Sequence, residues 1–583
     1  MGYLSWILAR LESPGAVKRI IGLALVLALP SLFSPLVADD HIQQILLEKG
    51  DSFSGVDGDA MSNFFVFASG DPAKNARLME DGIFPWWSAE DFKLAFARPI
   101  SVATHLLDAY LWSGNGLLIH AHSLAWFALL LFALWRLFRR FHGLRLAGLA
   151  LLIYAVDDAR GMVLSFAANR NALIAGFFGV CVLLAHDRWR RDGWRVGAYL
   201  APALLAVGLL AGESALATTA FLFGYAVTLD TGGLRARLAR LVPYAAVVLV
   251  WQTAYSALGY GTMASGVYIH PLHEPLAFMA KLLERAPVMA LGQLGIPPSD
   301  LWLLAPFPLK VAVYPVAIAV IVAVGYLVRT HLRDRPELRF WIIGSSLSLI
   351  PISATFTNDR LLVFVGMGAS VVLAALFLRF LEASPPAGLQ RRLFIGLVGI
   401  HLVLAPLLLP VRSLTTAAMA YGVTGVDRSI PRSTDVTHKT LVVVYSALEA
   451  PFCYQRWERR SRQIPQPHTL RLLATGFGAA TITRLDERTL RVRPDAGFYP
   501  GEAHRMIRGL QRPMAVGHTV ALSNVTVTVT EIASDGRAQT AEFRFSSPLE
   551  SPAWLWMRGE APGLVPWSPP AVGETVTVDV ALF

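Results

Sequence analysis

Apolar residues along this chain come in blocks, most of them closed by arginines and joined by short polar connections. A hydrocarbon core about 30 Å thick is crossed by about 20 apolar residues of helix, so these blocks predict membrane spans. The first covers residues 20–38 and follows Arg10, Lys18 and Arg19. A cleaved leader is its rival, because Leu36-Val37-Ala38 resembles a small-residue cleavage site. The block is long for a leader and predicts an uncleaved anchor. Further blocks cover residues 117–137, 144–156, 171–186, 196–212, 214–229, 241–258, 307–328, 340–356, 361–380 and 393–411. Residues 287–296 are apolar but too few to cross, and predict an interfacial or re-entrant segment.

Arginines set the orientation. Arg136, Arg139 and Arg140 close one block, and Arg188, Arg190 and Arg191 another. Arg235, Arg237 and Arg240, then Arg329, Arg333, Arg335 and Arg339, repeat the pattern. Short loops rich in Lys and Arg stay on the cytoplasmic side, so one assignment places nearly all these clusters inside. It gives about eleven helices, an N-terminus inside and a C-terminal tail outside. The expected location is a bacterial-type cytoplasmic membrane, with the tail extracytoplasmic.

From about Arg412 the pattern changes to short alternating runs, the period of strands. Residues 440–445 form a short apolar strand. Residues 480–483 and 489–492 flank a turn at Asp486-Glu487. Residues 519–532 and 539–545 flank Asp535-Gly536, a hairpin signal. Residues 574–583 alternate to the end. The predicted fold class is a polytopic α-helical membrane domain over residues 1–411, with a first outer loop at 39–116, and a soluble β-rich domain over 412–583.

Composition narrows the function classes. Hydrophobic residues make up 54% of the 583 and charged ones only 16%, which excludes a disordered chain or an ordinary soluble enzyme. Net charge is +10, but the excess sits in loops between apolar blocks, so it reads as topology and not as nucleic-acid binding. Two cysteines, Cys181 and Cys453, exclude a disulfide framework, and no Cys/His cluster has zinc spacing.

The remaining ionisable residues fall on the outer face. Asp39-Asp40-His41 follow the first block. Arg98 and His105 precede the second, and His120 and His122 open it. Asp157-Asp158 and Arg160 follow the third, Arg170 starts the fourth, Glu213 turns between the fifth and sixth, and Asp359-Arg360 between the ninth and tenth. Each alone reads more simply as a polar helix end. Charge inside a membrane is costly and marks function; as a set, with tight connections at Glu213 and Asp359 that carry little else, they predict a cavity at the outer membrane boundary. The acidic pairs suit a divalent cation through oxygen ligands, or a base for a hydroxyl. Arg98, Arg170 and Arg360 suit a phosphate, which at such a boundary is a lipid phosphate. Transfer from a lipid-phosphate donor to a hydroxyl joins these parts.

Several stretches carry a family resemblance. LVADDHIQ (residues 36–43) opens the first outer loop with an acidic pair. ARPISVATHLLDAYLWSGNGLLIHAHSLAWFALLLFALWRLFRR (97–140) is similar to an R-P-L, H, N-L-L-L-H entry into the second span. SFAANRNALIAGFFGVCVLLAH (165–186) is similar to an R-x-x-L-L-A start, LLAGESALATTAFLFGYAV (209–227) to K-E-S/T-A, and TFTNDRLLVFVGMGASVVLAALF (355–377) to D/E-R-Y-L-Y-L-P-S. In this order they resemble the GT-C superfamily of polyprenyl-phosphate-sugar-dependent glycosyltransferases, especially its protein O-mannosyltransferase-like branch. The resemblance implies a catalytic acid at Asp39 or Asp40. It implies a second acidic site at Asp157 and Asp158, which in some members binds a metal, so a divalent cation such as Mg or Mn is the implied cofactor and no organic one. Substrate and lipid phosphate fall to Arg98, His120, Arg170, Glu213, Asp359 and Arg360. The implied partners are a polyprenyl-phosphate-linked sugar, a glycan, lipid or protein acceptor, and membrane lipid. The chain departs from the pattern at Gly212, where the family has Lys, at Leu361 and Phe364, and in its β-rich tail. The alternatives are a lipid or envelope-polymer flippase, which mid-span charge would support, and a non-catalytic envelope scaffold. Within the first loop, Phe84, Trp86, Trp87 and Phe92 read equally as a clasp for sugar or lipid and as an anchoring aromatic belt.

Overall fold

A computed structural model describes residues 10–13, 15–49, 60–329, 335–382 and 388–580; Arg333 and the last three residues of the C-terminal alternating run lie outside them. The chain forms two compact units, each built from three pieces of sequence. One comprises Met1–Pro35, Ala97–Leu258 and Pro271–Thr416, and the other Leu36–Phe96, Gly259–His270 and Ala417–Phe583. Leu36–Phe96, most of the stretch expected as the first loop, therefore groups with the C-terminal residues, while residues 97–116 stay with the helices.

The first unit is helical. Among the described residues six helical segments are long and apolar enough to cross a membrane: Ala16–Phe33, Gly116–Phe141, Ala167–Asp192, Phe307–Val328, Val363–Leu381 and Gly388–Ser429. Leu144–Ala155 and Gly197–Ala211 are shorter apolar helices. The sixth expected span is broken: a 3-10 turn at Glu213–Ala217 precedes a helix at Thr218–Thr228. The short segment around Pro287 belongs to a longer helix, Pro275–Leu294. Its polar first half hid it, yet Arg285 is fully buried and donates to Ser353 O at 3.1 Å and Thr355 O at 2.9 Å. Burying a guanidinium is tolerated when such carbonyls accept its protons.

Local chemistry sets the helix ends. Asn115 caps Gly116–Phe141, its Oδ1 accepting from Leu118 N at 3.3 Å. The Arg-rich ends carry buried acid partners: Asp187 binds Arg140, and Asp230 binds both Arg190 and Arg240. The core beneath is apolar, centred on Tyr154, Phe221, Phe340 and Trp341.

The second unit is β-rich. A six-stranded antiparallel sheet runs in the order Thr575–Val580, Gly478–Arg484, Thr489–Pro494, Ala538–Phe545, Val525–Ile532, Thr519–Ala521. Alternation builds it: Val525, Val527 and Val529 are buried while the threonines between them are half exposed. Both expected turns are present. Asp486 accepts from Arg488 N at 2.7 Å and Thr489 Oγ1 at 2.9 Å, and Gly536 takes φ +81° in the second. A four-stranded sheet, Gly563–Pro566, Trp554–Glu560, Thr440–Val443, Thr469–Leu472, is parallel across its last three strands. Val66–Ser69, Lys93–Ala95 and Gly261–Met263 form a third sheet.

The loop aromatics are core residues of this unit, neither a clasp nor a belt. Trp86, Trp87, Phe84 and Phe92 are all buried. Trp86 lies edge-on to Phe498 and Phe543, with centroids 5.1 and 5.7 Å away, and its Nε1 donates to Leu473 O at 2.9 Å.

Candidate functional site

The ionisable residues singled out in the helical unit resolve into three polar groups. In the first, Arg170 is wholly buried. It donates to Asp108 at 2.5 Å, Ser123 Oγ at 3.0 Å and Ile119 O at 2.8 Å. Asp108 also accepts from Trp112 Nε1 at 3.0 Å and pairs with His122 at 2.6 Å. These contacts pin the helix Pro99–Trp112 to Gly116–Phe141. Arg170, expected at a lipid phosphate, pairs with Asp108, a carboxylate that the sequence reading passed over. Its signal was faint: Asp108 sits in an amphipathic run, four residues before Trp112. His120 is likewise fully buried, its Nε2 3.1 Å from Ser34 O.

In the second group Arg98 donates to Glu213 at 2.8 Å, and Tyr255 OH donates to the other carboxylate oxygen at 3.3 Å. Both charged side chains keep some exposure, 17% and 26%.

The third group centres on Arg412. Its Nη1 donates to Asp158 at 3.0 Å and to Asp359 at 2.6 Å, and its Nη2 to Asp300. Asp359 Oδ1 accepts from Ser299 N at 2.9 Å and Ser299 Oγ at 2.6 Å. Asp359 is fully buried with both oxygens hydrogen-bonded, so it braces the turn. Close backbone approach makes the cluster possible. A Cβ on Gly161 would lie 2.5 Å from the carbonyl carbon of Arg412, and one on Gly292 2.5 Å from Asp359 Oδ1. Neither Asp300 nor Arg412 was anticipated; the Pro297-Pro298-Ser299-Asp300 turn start was the available signal.

Asp157 and Asp158 face different partners. Asp157 Oδ1 accepts from Ala159 N at 3.0 Å, and its Oδ2 from Gln293 Nε2 at 2.8 Å and Arg160 at 3.4 Å. Among the described residues no three His, Cys, Asp or Glu side chains are grouped to hold a metal ion. Asp157 is held by Gln293 and Arg160, and Asp158 shares Arg412, so the side chains implied to take Mg or Mn are already hydrogen-bonded to different groups.

Arg360 stands apart. Its guanidinium lies 5.4 Å over the Phe356 ring, its Nε is buried without a partner, and it makes no ion pair among the described residues. Its backbone N–H donates to Asn358 Oδ1 at 3.0 Å, which fixes the turn that carries it.

The two loop aspartates lie in the β-rich unit. Both open the helix Asp39–Lys49. Asp40 is buried, and its Oδ2 accepts from Val37 N at 3.1 Å. Asp39 is half-buried and accepts from Tyr454 OH at 2.9 Å. Burial and the Asp39 charge push the Tyr454 hydroxyl pKa well above its usual range, so this tyrosine stays a donor.

No family model matches the chain. No curated protein matches it in sequence. Among solved structures it is similar to the Archaeoglobus fulgidus oligosaccharyltransferase tethered by a disulfide to an acceptor peptide containing the NVT sequon, at 13% identity over 78% of this chain and 64% of that one, with a TM-score of 0.37. The chain thus spans 64% of that relative's length. It is similar to ArnT from Cupriavidus metallidurans bound to undecaprenyl phosphate, at 15% identity over 78% of this chain and 86% of that one, with a TM-score of 0.35. A third likeness, at 14% identity over 79% of this chain and 65% of that one, TM-score 0.35, is to the A. fulgidus oligosaccharyltransferase AglB in complex with an inhibitory peptide and a dolichol-phosphate.

Proposed function

We propose that the chain is a membrane glycosyltransferase that moves a sugar from a polyprenyl-phosphate donor to a hydroxyl acceptor at the outer face of the membrane, with inversion. The observation that carries this reading is Arg360: an arginine with a buried, unpartnered Nε and no carboxylate partner among the described residues, beside helices that fit a bilayer. A guanidinium left without an ion pair is an anion site in waiting. The sequence motifs that resemble the GT-C superfamily supply the reaction class.

In this mechanism Asp39 takes the acceptor hydroxyl proton. The acceptor oxygen bonds to the sugar C1 as the C1–O bond to phosphate breaks. The bonding pair leaves on the phosphate oxygen. Asp40, held to Val37 N, keeps the start of its helix in place. Arg98 and Glu213 hold each other by their ion pair at the turn before the helix Thr218–Thr228.

Purified protein given a panel of polyprenyl-phosphate sugars should transfer one of them. Asp39→Asn, which preserves the acceptor for Tyr454 OH, should cut kcat about 10²–10⁴-fold. Arg360→Ala should raise the donor KM about tenfold or more. Transfer from no donor, or full activity in Asp39→Asn, would overturn the reading.

A further inference from the structure

Around Arg412, three carboxylates share one guanidinium. Asp158 comes from the turn Asp158–Arg160, Asp300 from Ser299–Leu303 and Asp359 from Asp359–Leu361. Two of these turns cap each other. Ser299 N donates to Asp359 Oδ1, and Asp359 N donates to Asp300 Oδ1 at 2.8 Å. These reciprocal bonds tie the two turns together and fix the acids in place. Arg360 is the next residue in the same turn, and its charge acts on Asp300. Asp157, behind Asp158, is already met by Arg160 and Gln293. That leaves Arg360 and Arg412 facing Asp158, Asp300 and Asp359. Burial and the nearby Asp359 push the Asp300 carboxyl up to about 6, against the pull of Arg412 and Arg360, so at neutral pH it is charged.

We infer that Asp300 makes the Arg360 site discriminate by ligand charge, accepting a singly charged phosphodiester in preference to a doubly charged phosphomonoester. The inference rests on the glycosyl-transfer reading and deepens it. A lipid-phosphate sugar is a diester with one charge. When the C1–O bond breaks, the lipid phosphate becomes a monoester whose new oxygen ionises with a pKa of about 6. Its second charge meets Asp300, and Arg360 is the guanidinium of this cluster that makes no ion pair among the described residues. The substrate is held and the product is expelled by the same cluster, and Asp300 is the specificity-determining residue.

The test uses the full-length protein with two probes, methyl farnesyl phosphate as diester and farnesyl phosphate as monoester, each bound at pH 7.5. The diester should bind about tenfold more tightly. Asp300→Asn should bring the two affinities within about twofold, chiefly by strengthening the monoester, and Arg360→Ala should weaken both. A merely structural role for Asp300 would weaken both probes and leave their ratio alone, which would overturn the inference. So would equal affinities in the wild type, or no binding of either. Should Asp300→Asn fail to fold, the diester decides, since its charge is constant from pH 5 to 7.5. Its wild-type affinity must fall as pH rises through about 6, and a flat profile overturns the inference. Discrimination without any sugar transfer would overturn the transferase reading alone; transfer without discrimination would overturn only the role of Asp300.

Discussion

Glu449 is 5% exposed, and its Oε2 has no partner. It lines a small apolar cavity in the β-rich unit with Phe84, Trp86, Phe452 and Leu472. Burial raises its carboxyl from the ordinary 4.5 to about 7. The folded state therefore holds a proton that the unfolded chain releases. Stability from this proton is full below pH 4.5 and is lost as pH rises to about 7. The unfolding temperature of the β-rich unit should fall across that window, and Glu449→Gln should flatten the profile, being more stable at pH 8 by about 2–3 kcal/mol. An unchanged slope in the variant would remove Glu449 as the cause. In the helical unit, Asp359→Asn strips one acid from a buried pair and should cost about 3–5 kcal/mol in a denaturation series. At this scale the sequence was legible only as a roster of polar positions. Asp359 and Arg360 are neighbours with opposite fates, one sealed and one unpaired. What separates them is Arg412 and Asp300, 53 and 59 positions from Asp359, and no local pattern encodes such partners.

Helices were far more legible, because a bilayer imposes length and apolarity on each one. The expected span at residues 307–328 coincides with the helix Phe307–Val328, and that at 144–156 with Leu144–Ala155 to within one residue. Pro275–Leu294 escaped because its Arg285 is satisfied by the carbonyls of Ser353 and Thr355 and its Lys281 by Glu284, which hydropathy does not register. Helix contacts made by glycine were equally invisible. Gly161 lets the turn before it touch the Arg412 backbone, where a Cβ would sit 2.5 Å from a carbonyl carbon. Gly161→Ala must therefore push the helix Ala405–Arg412 away. It should destabilise the helical unit by about 1–3 kcal/mol and weaken the acid cluster with it. Thermal denaturation read on tryptophan fluorescence checks the first effect; a normal melt would show that the contact is slack.

For the whole molecule, both the helical region and the β-rich region were readable from the change of period near Arg412. Their membership was not. Residues 36–96 have the composition of a loop, and only long-range packing makes them part of the β-rich unit. Residues 412–583 expressed alone should therefore lack a cooperative unfolding transition, since Trp86 and Trp87 leave a hole against Phe498 and Phe543. Trp86→Ala in the full chain should cost about 3–5 kcal/mol. A sharp melt from the isolated segment would contradict this packing argument. The bond from Trp86 Nε1 to Leu473 O spans 387 positions of sequence, and that distance has a consequence in time. Chains are made from the N-terminus at about 5–20 residues per second. The aromatic segment is thus made tens of seconds before the strands that bury it. During that interval two tryptophans wait unburied while helix after helix is made. Long-range pairing of this kind folds slowly and leaves sticky surface open, so maturation of this protein should be limited by closure of its β-rich unit, and a holding factor that shields residues 84–92 should raise its yield.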